Sequence, residues 1–451
     1  MRAAVPAGVV ITGLGAVSPL GIGVPAFTAG LRAGRSGIAP FDPGEARTRS
    51  RVAALCAQFR GADVVGAADA ARLPRLVPMA LAAAREALAQ AGLAERPGAP
   101  GRGPGTKDAA PDPARIGLIL GTGGGGIDFT LDQFARAGAG KSASLWTITN
   151  ATHGNLAGEL SIRLGLNGPS LCVSTGCASS SDAAGLGLTL LRARAGAFAD
   201  SLDALVVIGA DAHVRWETLH TMELLGVLSL RDWPAQGRPA SAASRPFDAH
   251  RDGFVLGEGA WAAVLERPGA ARARGAAPLA RLAGYGATCD AYHRVRPAPD
   301  VRQAARAIRL ALADAGFGPE QVAVAQYHGT STRVNDGLET AAIRAAFGAH
   351  APRLRGSSIK SMIGHPQGAC GLAALVAMVA ALGGRDGGGP FVPPTINLDD
   401  PDLAGGCDLD YTPHRAAELE RPAARDGPVV ALVNCLAFGA KNSALVVAVP
   451  G

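Results

Sequence analysis

Within LCVSTGCASSSDAAGLGLTLLRA, residues 171–193, a β-branched run passes through a tight small-residue turn into an alanine- and leucine-rich helical pattern, and Cys177 sits where the two meet. A thiol in the first turn of a helix faces unpaired backbone N–H groups and the positive end of the helix dipole, both of which favour thiolate. The chemistry expected is therefore nucleophilic. The competing explanation is a small buried packing residue, the usual fate of a free cysteine. Two further turns argue against it. YHGTSTRVNDGLET places His328 directly after a strand-like run, with Asn335, Asp336 and Glu339 following. SSIKSMIGHPQGACG places Lys360 and His365 five residues apart in another strand-to-helix turn. Either histidine alone is more simply a satisfied structural residue; with a candidate thiolate they form a constellation.

Those turns need elements to hold them. Strand-like runs at 8–13, 115–121, 170–174, 203–210, 258–265, 322–327 and 428–434 alternate with helical patterns at 74–91, 178–194, 299–314, 334–347 and 367–382. The alternation predicts an α/β protein with a mostly parallel sheet. SLCVSTGC followed by an alanine-rich helix is faintly repeated in RGSSIKSMIGHPQGACG followed by another, so two similar halves are expected, 1–266 and 267–451. The first carries the cysteine and the second the histidines and Lys360. Residues 92–114, rich in Pro and Gly with no apolar period, read as a mobile surface loop.

Composition narrows the function. The 451 residues are 48% hydrophobic and 18% charged, with 61 glycines, which suits a globular protein with ample core. The net charge of +6 admits an acidic partner, but no basic run is interleaved with aromatics, which make up only 4%, so nucleic acid is not expected. Seven cysteines, an odd number scattered along the chain, do not make a disulfide framework and fit reduced thiols in a cytoplasm. VVITGLGAVSPLGIGV reads as strand and turn rather than a secretory leader. The apolar stretch at 369–382 has 14 residues where about 20 span a bilayer, so a buried helix is expected and no membrane segment.

GTGGGG at 121–126 matches G-x-G-x-x-G, but an acidic residue about 20 positions on is missing: Asp128 and Asp132 come too early and Glu159 too late. Tight turns with close backbone approach are expected instead of a dinucleotide site.

Taken together, VVITGLGAVSPLG, the Cys177 turn, ASRPFDAHRDGFVLGEGA, DAYH at 290–293, HGTST, KSMIGH and PPTINLDDPD resemble the elongating, decarboxylating β-ketoacyl-acyl-carrier-protein synthases, nearly end to end. The resemblance implies a thiolase-like fold, two similar α/β halves packed as α-β-α-β-α layers. It implies that Cys177 accepts an acyl group from a carrier-protein thioester, and that the backbone N–H groups of Cys177 and Phe438 hold the oxyanion. His328 and His365 would hold the enolate left by malonyl decarboxylation, with Lys360 and Glu339 forming an ion pair behind them. Thr330 and Thr332 would line the pantetheine arm, and Gly439 would belong to the loop gating entry. Arg72 and Arg75 would meet an acidic carrier protein. No metal and no cofactor is implied beyond the carrier's phosphopantetheine. A dimer is implied, either of identical chains or with a chain-length-factor-like subunit; the alternative is that this chain is itself such a non-catalytic subunit. Degradative thiolases lack comparable histidine turns.

Three departures stand out. The family's loop reads G-F-G-G-T-N, whereas Ala437, Phe438, Gly439, Ala440, Lys441 and Asn442 stand here. Loss of a glycine is expected to stiffen the gate. Gly124 replaces a bulky aliphatic residue between acyl pocket and dimer interface, which predicts a wider tunnel. His153 and Asn155 are polar for a plain fatty-acyl tunnel, unless they face an interface or solvent.

Overall fold

Glycines at alternate positions of the first strand set how closely a helix can approach it. A Cβ on Gly13 or Gly15 of β1 (Val9–Ser18) would lie 2.0 or 1.8 Å from the carbonyl oxygens of Ala87 and Ala83 on α1 (Leu76–Gln90). Side chains alternate along a strand, so both glycines face the helix. The same device recurs in β6 (Ala280–Cys289), where Gly284 and Gly286 abut Ala311 and Ala307 of α3 (Arg302–Ala315), each 2.2 Å from a would-be Cβ.

The computed structural model describes residues 8–45, 47–93, 112–196, 198–199, 201–419 and 427–450. Most of the 92–114 loop, positions 94–111, lies outside the described residues. Besides β1 and β6, the main sheet contains β2 (Ile116–Gly121), β3 (Ser170–Val173), β4 (Ala204–Asp211), β5 (Gly259–Glu266), β7 (Val322–Gln326), β8 (Arg355–Ser357), β9 (Val429–Ala437) and β10 (Lys441–Val449). Their order is β8-β7-β9-β10-β6-β1-β5-β4-β2-β3. Read outward from the β1–β6 contact, the two arms correspond strand for strand. β1–β5–β4 and β6–β10–β9 are antiparallel, and β4–β2–β3 and β9–β7–β8 are parallel.

The sheet is therefore mixed rather than mostly parallel. The parallel outer strands of each arm are joined by helical crossovers, which parallel pairing requires. In contrast, β9 returns directly as β10 through the Phe438–Ala440 turn. α2 (Ser179–Arg192) and α5 (Cys370–Leu382) pack together between the arms, while α1 covers the outer face of one and α3 with α4 (Arg333–Phe347) that of the other. Every residue of α5 is buried. No described helix is long and apolar enough to cross a membrane.

β3 is a sheet edge with Leu171 exposed, and the segment leading to it leaves Leu145, Ile148 and Ile162 70–80% exposed. Such a grouping marks a contact surface.

Candidate active site

The turns after β3 and after β8 occupy corresponding places in the two arms, and each delivers a reactive side chain to the centre. Cys177 lies in a 3₁₀ turn (Gly176–Ala178) just ahead of α2, and Gly176 adopts φ +67° to make the bend. His365 follows Gly364, at φ +65°, ahead of α5. His328 follows β7 directly. All three side chains are buried, and one ligand-type atom from each lies within 4.8 Å of the others. That spacing suits acyl transfer and would also suit a soft divalent cation.

Hydrogen bonding fixes the imidazole tautomers. Lys360 Nζ donates to His328 O at 2.6 Å and lies 3.3 Å from His328 Nδ1. The backbone N–H of Gln367 donates to His365 Nδ1 at 3.1 Å, and the Cys370 thiol lies 3.2 Å from the same atom. Ammonium and N–H groups only donate, so both Nδ1 atoms are acceptors and both Nε2 atoms carry the proton. Burial holds both histidines well below the usual imidazole value, and the Lys360 charge lowers them further. The rings cross at 86° with centroids 5.4 Å apart.

Burial works against the expected thiolate. Burial pushes the Cys177 thiol up to about 11, outweighing the lowering by Lys360 and by the backbone N–H groups of Phe438 and Cys177. The helix-terminal effect is present but smaller than desolvation in so enclosed a site. Those two N–H groups are the pair expected to hold an oxyanion, and both approach the sulfur.

The Lys360–Glu339 ion pair does not form. Glu339 accepts from the backbone N–H groups of His328 and Gly329, both at 2.7 Å, and from Asn434 Nδ2 at 2.6 Å. Lys360 is engaged at the carbonyl and ring of His328. The two charges thus hold His328 from different ends. Burial raises Glu339 to about 7.

A cavity of about 230 Å³ leads to this cluster, with Cys177, His328 and His365 in its wall together with Thr330, Thr332 and Phe438. The threonine hydroxyls lie 2.9 Å apart, and Thr332 caps α4 by accepting from Asn335 N. The turn is anchored from the 243–260 segment: Arg245 N donates to Ser331 Oγ and Phe247 N to Asp336. Phe438 and Ala440 line the cavity on either side of Gly439, which has φ +82°. Ala440 sits at φ +59°, a left-handed conformation that costs an alanine what it would not cost a glycine.

Gly124 does not line that cavity. A Cβ there would lie 2.4 Å from Nδ1 of the buried His213, so the space vacated by a larger residue is filled by His213. The neighbouring Gly125 is covered by His153 in the same way, and Asn155 is exposed. The glycines of 121–126 thus serve close packing, as their lack of a dinucleotide signature implies. Arg75 is not free for docking either: it makes a two-pronged pair with Glu258, 2.8 and 3.0 Å, and Glu258 is buried. Arg72 is exposed.

Four contributors escaped sequence reasoning: Asn434, Gln367, Cys370 and Asp211. The buried Asp211 carboxylate accepts from Gly123 N, Gly124 N and Gly368 N, tying the glycine turn to the His365 turn. Its signal was an acidic residue ending the apolar run LVVIGAD, where a charge must find partners.

Two α/β arms around a buried helix pair, with a buried cysteine and two buried histidines gathered at the centre, define a thiolase-like condensing enzyme, an acyltransferase. The chain belongs to the β-ketoacyl synthase family: residues 7–271 match its N-terminal domain and residues 279–399 its C-terminal domain. It is 36% identical over 441 residues to 3-oxoacyl-[acyl-carrier-protein] synthase 2 of Synechocystis sp., covering 97% of each chain. It is 37% identical over 423 residues to the tetracenomycin polyketide synthase ketoacyl synthase alpha subunit of Streptomyces glaucescens, covering 91% of each. Among solved structures, the ishigamide ketosynthase/chain length factor superposes with a TM-score of 0.81 at 31% identity, over 99% of this chain and 100% of that one.

Proposed function

We propose that this chain is a β-ketoacyl-acyl-carrier-protein synthase of fatty-acid or type II polyketide assembly, with Cys177 as nucleophile and His328 and His365 as the enolate donors. The observation that carries this is the pair of Nε2–H groups, fixed by donors at both Nδ1 atoms, beside a buried thiol.

In the first half-reaction the Cys177 sulfur attacks the carbonyl of a carrier-bound thioester. The oxyanion is held by the N–H groups of Cys177 and Phe438. The carrier's thiolate leaves and takes up the proton that the cysteine gives up. Malonyl-carrier protein then enters along Thr330 and Thr332. Its bond to the carboxylate breaks, carbon dioxide departs, and the electron pair moves into an enolate whose oxygen accepts from both Nε2–H groups. The enolate carbon attacks the acyl carbonyl, the carbon–sulfur bond breaks, and Cys177 leaves as thiolate and is reprotonated. Covalent catalysis divides one hard condensation into two easier steps.

The substrates ride on the phosphopantetheine of an acidic carrier, with Arg72 as one docking contact. A partner subunit, a second copy or a chain-length-factor-like chain, covers Leu171 and the neighbouring exposed Leu145, Ile148 and Ile162. None of the seven cysteines is paired, which supports a cytoplasmic site of action.

The test is to supply acyl- and malonyl-carrier proteins and follow carbon dioxide and product together. One carbon dioxide per 3-oxoacyl product is expected from wild type, and His365→Ala is expected to lower malonyl decarboxylation by about 10²-fold or more while still taking up the acyl group. Condensation unaffected in His365→Ala contradicts the assignment.

A further inference from the structure

Gln367 has an amide that the reaction as described does not use. It is 7% exposed and adopts φ +47°, a conformation uncommon outside glycine that concentrates at functional sites. Its Oε1 lies 4.0 Å from Cys177 Sγ, within reach of the thiol. Its Nε2 is buried and meets no acceptor among the described residues. A buried amide donor left unpaired carries a desolvation cost that a leucine or methionine here would not carry.

The position of this donor says what it awaits. Cys177, His328 and His365 line the open cavity, whereas Gln367 does not, so its amide lies behind the cavity wall, next to the sulfur. Malonyl-pantetheine must occupy the mouth while the acyl chain stays on Cys177, so that chain has to turn inward, toward Gln367. Nε2 lies no more than one amide width farther from the sulfur than Oε1 does. An acceptor oxygen a few bonds along the acyl group meets it there.

We propose, resting on the ketosynthase assignment, that Gln367 selects acyl chains bearing a keto oxygen near the thioester, through Nε2–H donation to the 3-oxo group. The supplying reaction is then a previous condensation whose ketone was not reduced. A saturated chain leaves the donor unpaired and is disfavoured.

The test is competitive acylation of Cys177 by the N-acetylcysteamine thioesters of 3-oxobutanoate and butanoate, read by intact mass, in wild type, Gln367→Leu and Gln367→Met. Iodoacetamide labelling of Cys177 identifies which variants retain a folded site. Wild type is expected to favour the 3-oxo ester by about tenfold or more, and each folded variant to fall to about parity. Equal acylation of wild type by both esters, or a preference unchanged in a folded variant, overturns the proposal. If wild type takes up neither ester nor any carrier-bound acyl group, the ketosynthase assignment itself fails; uptake of carrier-bound chains with no 3-oxo preference removes Gln367 alone.

Discussion

Lys360 holds His328 at two points, donating to its carbonyl oxygen at 2.6 Å and lying 3.3 Å from Nδ1. Burial keeps the ring neutral, while this one ammonium orients it, fixes its tautomer and lowers it further, and also lowers Cys177 electrostatically. Lys360→Met removes all that the ammonium supplies. Cys177 alkylation at pH 8 is expected to slow, and malonyl decarboxylation to fall with it. Alkylation at the wild-type rate contradicts the electrostatic role.

Glu339 gives a pH signature of definite sign. Its native value, about 7, lies above its ordinary value of 4.5, so the native state favours the protonated acid. Its contribution to stability is full below pH 4.5 and is lost as pH rises through about 7. Glu339→Gln does not titrate. The stability of wild type relative to this variant is expected to decline across that window and then level off, as measured by urea unfolding at a series of pH values. A constant difference would place the carboxylate's titration elsewhere.

Arg72 and Arg75 should separate cleanly. Arg72→Glu is expected to raise KM for carrier-bound substrate with an unchanged melting temperature. Arg75→Glu sets a second carboxylate against the buried Glu258 and is expected to lower the melting temperature itself. Equal melting temperatures for the two variants contradict the distinction.

Gly124→Ala forces a methyl against His213, and a cost of about 1–3 kcal/mol is expected from such overpacking, measured by denaturant unfolding. Acyl-length preference should not change. A stable variant with a shortened acyl preference would restore Gly124 to the tunnel wall.

The reactive turns were legible in the sequence because chemistry concentrates there: Cys177, His328, Lys360 and His365 stand in short polar, glycine-rich segments between periodic ones. The core helices were legible too, with α3 expected at 299–314 and found at Arg302–Ala315. β6 was not, since Gly284 and Gly286, required by the close approach of α3, dilute its β-branched signal. The burial that raises the Cys177 thiol was not legible, because a helix terminus is visible in sequence whereas burial is a property of the whole packed arrangement. The Lys360–Glu339 pairing failed for a related reason: opposite charges suggest a pair, but each found nearer partners on His328. Gln367 and Cys370 carry no signal outside their contacts.

The most direct measurement is intact-protein mass of wild type and Cys177→Ala after exposure to a panel of acyl-carrier proteins, then to malonyl-carrier protein. An acyl adduct on wild type alone, discharged by malonyl-carrier protein as a 3-oxoacyl product, is expected. No adduct with any donor, even when a candidate partner subunit is present, contradicts catalysis by Cys177 and leaves the chain as a tunnel-shaping subunit.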